Sequence, residues 1–206
     1  MNDRVRHQIM ISLLLGLAAP AGQTIAGASG PASEPPPPTN ANREAPPSPA
    51  KPASGLAIPE SIRAEHQEIH SALERATQAP GRLGSAAKKL SAVLLPHFER
   101  EEEIAQPPLG LLASLAANEP LPKTVETDVL AMTASLRTEL PGMLQEHEQI
   151  RAAVEQFRLA AEEANSPEHV TFAEELVLHA RTEEEVLYPA AILVGDIIRM
   201  RRKSGK

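Results

Sequence analysis

From position 60 onward, apolar residues recur every three or four positions, the spacing of one helix face. Ile62, Ile69, Leu73 and Ala76 form such a stripe, shared with His66 and His70, and predict a first helix from about Glu60 to Gln78. The turn Ala79–Pro80–Gly81 ends it. A second helix is predicted from Leu83 to Ala105 on Leu90, Val93 and Leu94, stopping before Pro107–Pro108, with Pro96 bending it from within. Residues 107–123 are rich in Leu and Ala between prolines and read as a connecting loop with one short helix, lying over one end of the helices. A third helix is predicted from Thr124 to Ala164, disturbed at Pro141–Gly142. Ser166–Pro167–Glu168 then supplies an N-cap, a first-turn proline and a first-turn acid to a fourth helix, which runs to about Arg199 with a bend near Pro189. The basic tail that closes the chain, 202–206, reads as frayed.

Composition narrows the class. Aromatic residues are 2% of the 206 and tryptophan is absent, so the core must be built from Leu, Ile, Val and Ala. That suits closely packed helices and disfavours a sheet; the expected class is all-α. The residues before the first helix read differently. Arg4, Arg6 and His7 precede the apolar run Ile9–Ala19 and the small residues Ala26–Gly27–Ala28, the three regions of a secretory signal. Residues 1–28 are therefore expected to be a signal peptide cleaved after Ala28, placing the protein in the periplasm or outside the cell. The alternative is an uncleaved N-terminal anchor, but Pro20, Gly22, Gln23 and Thr24 interrupt the roughly 20 apolar residues that a membrane span needs. Residues 29–57, with Pro35–Pro38 and five further prolines among Ala, Ser and Asn, form a linker unable to bury a core. The folded domain is expected over 58–201.

Net charge is −7, and −8 once residues 1–28 are set aside, which argues against a nucleic-acid partner. Cysteine is absent, so disulfides, thiolate metal sites and thiol chemistry are excluded and any metal must rest on imidazole and carboxylate.

The chemistry lies in a duplication. Pro96–His97–Phe98–Glu99–Arg100–Glu101–Glu102–Glu103 is matched by Leu178–His179–Ala180–Arg181–Thr182–Glu183–Glu184–Glu185, with Pro107 and Pro189 at the same offset beyond. In each copy a His and the Glu four residues later share one helix face, so His97 with Glu101, and His179 with Glu183, can address one spot. The later acids of each triplet fall off that face and read as solvated. Upstream, Glu65–His66 through Glu74 is matched by Glu146–His147 through Glu155. His66 precedes His97 by 31 residues and His147 precedes His179 by 32, so one helix–turn–helix unit of metal-ligand composition occurs twice. A lone histidine on an apolar stripe is usually a packed core residue; four in a repeated order with two face-matched glutamates point to metal. Spacing leaves iron, zinc and manganese open. The Glu-x-x-His pattern of other four-helix carboxylate centres is not present.

These residues, in this order over roughly Ile58 to Arg201, resemble the hemerythrin-like proteins, and most nearly the bacterial di-iron proteins of iron–sulfur repair and nitrosative stress. The resemblance implies an up-down-up-down four-helix bundle holding two iron ions. It implies His66, His97, His147 and His179 as terminal ligands and Glu101 and Glu183 as bridges, with an oxo or hydroxo bridge completing five ligands per iron. One open position on each iron would then take a small molecule such as O2, NO or peroxide. His70, four residues beyond His66, is a candidate fifth histidine ligand. Oxygen-carrying hemerythrins place their extra histidine on the third helix, where this chain has Arg151. Arg151 is a candidate partner for a nearby carboxylate, Tyr188 a candidate donor to a bridging ligand, and His169 is expected to be exposed. Two other readings of the motif stand beside small-molecule binding: a redox or iron-donating repair protein acting on NO or peroxide, and a structural bundle holding zinc or no metal.

Overall fold

The computed structural model describes residues 56–205; the expected signal peptide and nearly all of the expected linker lie outside them. Among the described residues there is no strand. Helix α1 spans Glu60–Thr77 and α2 spans Gly81–Ile104. A 3-10 turn, Pro107–Leu111, runs into the short helix α3, Leu112–Ala116. Then follow α4 (Lys123–Glu163), α5 (Pro167–Thr182), a π turn (Glu183–Leu187) and α6 (Tyr188–Lys203). The last three are consecutive, so α5 and α6 form one rod, and the bundle is made of α1, α2, α4 and that rod.

Apolar layers show how the rods run. One cluster contains Leu73 of α1, Leu90 and Phe98 of α2, Phe157 of α4 and Leu176 of α5. Another contains Ile62 of α1, Ile104 of α2, Leu136 and Met143 of α4, and Tyr188 and Ala191 of α6. Going along the chain, α1 and α4 pass from the second layer to the first, and α2 and the α5–α6 rod pass back. The bundle is therefore up-down-up-down, as the hydrophobic spacing and short turns require. The predicted ligand positions fall on each rod between the two layers. Most side chains in both layers are apolar and nearly all are inaccessible, so the middle of the bundle is sealed above and below.

Several local expectations change. Pro96 and Pro141 lie inside α2 and α4, and both helices continue past them, as the predicted helix limits already had it. Just before Pro189 the fourth rod widens into the π turn, where Tyr188 N–H bonds Glu183 C=O, five residues back. Proline has no N–H to donate and cannot continue the α ladder, so the wider turn is a local solution. Ser166 takes the N-cap position of α5 without capping it; its hydroxyl bonds the side chains of Glu168 and His169 instead. That contact leaves His169 half-buried rather than exposed. Asn165, at φ 53°, reverses the chain after α4, and Ser166 N–H closes on Ala161 C=O at 3.0 Å. The basic end of the chain is tied down: Arg201 donates to the carbonyls of Glu119 and Leu115, and Arg202 to Glu126. Those bonds explain why α6 persists to Lys203. The connecting segment buries Pro107, Pro108 and Leu109, while Leu111 and Leu115 pack with Val129, Val194 and Ile198.

Candidate metal centre

α1 brings His66 to the centre of the bundle, α2 brings His97 and Glu101, α4 brings His147, and the fourth rod brings His179 and Glu183. All six are at least 95% buried. They form two overlapping groups: His66, His179, Glu101 and Glu183 in one, His97, His147, Glu101 and Glu183 in the other. Each histidine pair takes one member from each half of the duplication, so neither half could build a group alone. Both carboxylates belong to both groups.

The carboxylate oxygens divide between the two pairs. Glu101 turns Oε1 toward His97 Nε2 at 3.6 Å and Oε2 toward His66 Nε2 at 3.7 Å. Glu183 turns Oε1 toward His179 and His66 Nε2, at 2.9 and 3.5 Å, and Oε2 toward His147 Nε2 at 3.4 Å. Each carboxylate thus faces both histidine pairs.

All four imidazoles are held from behind. His97 Nδ1 lies 2.7 Å from Glu146, His147 Nδ1 2.7 Å from Glu184, His179 Nδ1 3.1 Å from Glu65 and His66 Nδ1 3.4 Å from Glu102. A carboxylate facing Nδ1 fixes the proton there and leaves the Nε2 lone pair pointing inward, as a metal-ligating histidine requires. Glu102 and Glu184 are thus corrected: they are off the face of their own His, as expected, but each bonds a histidine on the neighbouring helix. Glu65 and Glu146 were overlooked as well, although the repeated Glu–His pairs at 65–66 and 146–147 carried the signal. Arg151 donates to Glu184 Oε1 at 2.7 Å and so braces the contact to His147.

His70 is not part of either group and is exposed. The buried stripe of α1 is Ile62, His66, Ile69, Leu73 and Ala76, alternating steps of four and three. His70 lies one residue, about 100°, beyond Ile69 and therefore faces out. The expectation of a fifth histidine ligand is corrected on that ground.

Tyr188 O–H donates to Glu101 Oε1 at 2.5 Å and lies 3.2 to 3.3 Å from Nε2 of His147 and His97. Gln106, absent from the sequence reading, occupies the equivalent place on the other side. It stands immediately before Pro107 as Tyr188 stands before Pro189, and its N–H reaches back five residues to Glu101 C=O at 2.9 Å. Its side-chain amide nitrogen lies over the His66 ring, 2.8 Å from Nε2 and 3.3 Å from Nδ1.

Without a cation, the site is poorly satisfied. Glu101 Oε2, Glu183 Oε1 and His179 Nε2 are buried without a hydrogen-bond partner, the last two despite lying 2.9 Å apart. His97 and His147 face each other Nε2 to Nε2 at 2.7 Å, two lone pairs in contact when each proton is held at Nδ1. Buried polar groups are normally paired, and a metal ion would pair every one of these. The charges tell the same story. Burial, then the neighbouring Glu183, push the Glu101 carboxyl well above its ordinary range. Burial also works to raise Glu183, but His147, His179 and His66 outweigh it and hold that carboxyl well below. Burial lowers His179, yet Glu183 and Glu65 reverse the sign and raise it to about 9. Burial, with Glu101 and Glu183 beside it, keeps the Tyr188 phenol protonated and hence a donor.

A four-helix bundle whose sealed middle gathers four imidazoles around two shared carboxylates defines a cation-binding protein. The hemerythrin HHE cation-binding domain model matches residues 57–191, and the chain belongs to the hemerythrin family. Neither a curated protein nor a solved structure matches the chain significantly. No helix among the described residues is long and apolar enough to cross a membrane.

Proposed function

We propose that the protein is a non-haem di-iron protein that binds a small molecule such as O2, NO or peroxide at its metal centre. The observation that carries this reading is the division of each carboxylate, one oxygen toward the His66–His179 pair and the other toward the His97–His147 pair. Imidazole and carboxylate donors without thiolate suit iron. His66 and His179 would hold one ion, His97 and His147 the other, and Glu101 and Glu183 would bridge them. Two imidazoles and two carboxylate oxygens leave coordination positions free on each iron, and bound iron supplies those positions together with a redox couple. An open groove of about 380 Å³ between α4 and α6 is lined by Leu140, Leu144, Ile192 and Leu193 together with Glu184, Asp196 and Tyr188, whose hydroxyl donates to Glu101. Adding O2 or NO to the reduced, iron-loaded protein is expected to change its optical spectrum, and the change should be lost when His97 and His179 are both replaced by alanine. No spectral response to either gas would overturn the ligand-binding reading.

A further inference from the structure

From the π turn onward, the fourth rod carries two apolar faces. Tyr188, Ala191, Val194, Gly195 and Ile198 turn into the bundle and are buried there. On the other side Val186, Ala190, Leu193, Ile197 and Met200 follow one another at steps of four, three, four and three, the heptad spacing of a seam between two helices. Seen down the axis, this row lies about 140° from the buried one. Nothing among the described residues covers it: Val186, Leu193 and Met200 are 53, 55 and 58% exposed, with Ala190 and Ile197 partly buried between them. Exposed apolar residues scattered singly are ordinary, but a contiguous row marks a surface built to be covered. Leu140 and Leu144 of α4 widen the row at its middle, where they line the groove beside Ile192 and Leu193.

We propose that this row docks a second copy of the chain, whose own fourth rod lies antiparallel against it about a two-fold axis near Leu193. Charge identifies the occupant. Glu185 stands eight residues before Leu193 and Arg201 eight after, with Glu184 beside the first and Arg202 and Lys203 beside the second. Arg181 and Asp196, the opposing charges on this stretch of the rod, sit in ion pairs within the chain and are outnumbered at their ends. One end of the row is therefore acidic and the other basic. Antiparallel pairing sets each acidic end against its partner's basic end, whereas parallel pairing would set like against like. A surface apolar along its middle and opposite in charge at its ends complements itself, as a two-fold interface requires. Residues 29–57 are no rival for the row: apart from prolines they offer one large apolar side chain, Leu56, and it is buried with Leu115, Val194 and Ile198. The inference stands apart from the metal reading above.

The test is the mass of the full-length protein in solution, by sedimentation equilibrium over a series of concentrations. The expected result is a dimer that dissociates on dilution. Leu193→Glu should be monomeric throughout with its helical circular dichroism unchanged, since that side chain lies outside the core. The absence of cysteine lets single introduced thiols report the arrangement. Leu193→Cys, near the axis, should cross-link to itself on oxidation. Val186→Cys should not, because antiparallel rods hold its two copies roughly 20 Å apart. Mixed with Met200→Cys, it should cross-link to that variant instead. A monomer at every concentration would overturn the proposal, whether or not the same residues bind anionic lipid vesicles or another protein. So would a dimer that survives Leu193→Glu, or one in which Val186→Cys joins itself as readily as Leu193→Cys does.

Discussion

An imidazole offers a lone pair at whichever nitrogen is not protonated, and its neighbours decide which one that is. Here every site histidine has its Nδ1 opposite a carboxylate from the adjacent helix, and the four acids are themselves duplicated: Glu65 with Glu146, Glu102 with Glu184. Glu146 is half exposed and makes no contact on which the core depends, so removing it tests orientation rather than folding. Glu146→Ala, and likewise Glu184→Ala, should lower metal affinity by about 10–100-fold, measured by competition with a chelator, with the helical circular dichroism unchanged. Unaltered affinity in both would mean that the histidines are held by packing alone. The six ligand-type residues were readable because i and i+4 share a helix face and the pattern is repeated. The four supporting acids were not read, because they act between helices and single-helix geometry puts them on the outside. Gln106 carried no signal of its own: a glutamine after an acidic run is ordinary, and only the turn that Pro107 forces brings it inward.

At the scale of elements, the bundle depends on close approach where α4 meets α6. A Cβ built on Gly195 would stand 2.2 Å from Thr133 Oγ1, and Thr133 is itself buried with its hydroxyl bonded to Val129 C=O at 2.8 Å. In an exposed helix Gly→Ala stabilises by about 1 kcal/mol. Here overpacking should win, and Gly195→Ala is expected to destabilise by roughly 1–3 kcal/mol in urea unfolding. A variant as stable as the wild type would show that α6 can slide away from α4. Helix number, order and limits were legible to within a few residues from spacing, turns and prolines. A proline has no N–H to give the ladder, and the residue just before each of Pro189 and Pro107 closes a bond across five residues, Tyr188 to Glu183 C=O and Gln106 to Glu101 C=O, the latter shared with Ala105. The two π-type contacts, equivalent by duplication, place Tyr188 and Gln106 over the site; sequence spacing treats every helical residue as 100° and cannot show them.

For the whole molecule, the consequence of duplication is that function is distributed across the halves. His66 works with His179 and His97 with His147, so each ion position needs both copies, while Glu101 and Glu183 tie the positions to each other. The apolar layers on either side, around Leu73 and Phe157 on one and Leu136 and Ala191 on the other, enclose a polar middle in which Glu101 Oε2, Glu183 Oε1 and His179 Nε2 have no hydrogen-bond partner and a cation would supply one. The measurement that tests this most directly is the number of iron atoms per chain in protein purified from iron-sufficient cells, for the wild type and for Glu101→Ala combined with Glu183→Ala. Two irons per wild-type chain, falling below one in the double variant while the helical signal persists, is the predicted result. One iron or none in a folded wild type, or two irons retained without the shared carboxylates, would contradict it.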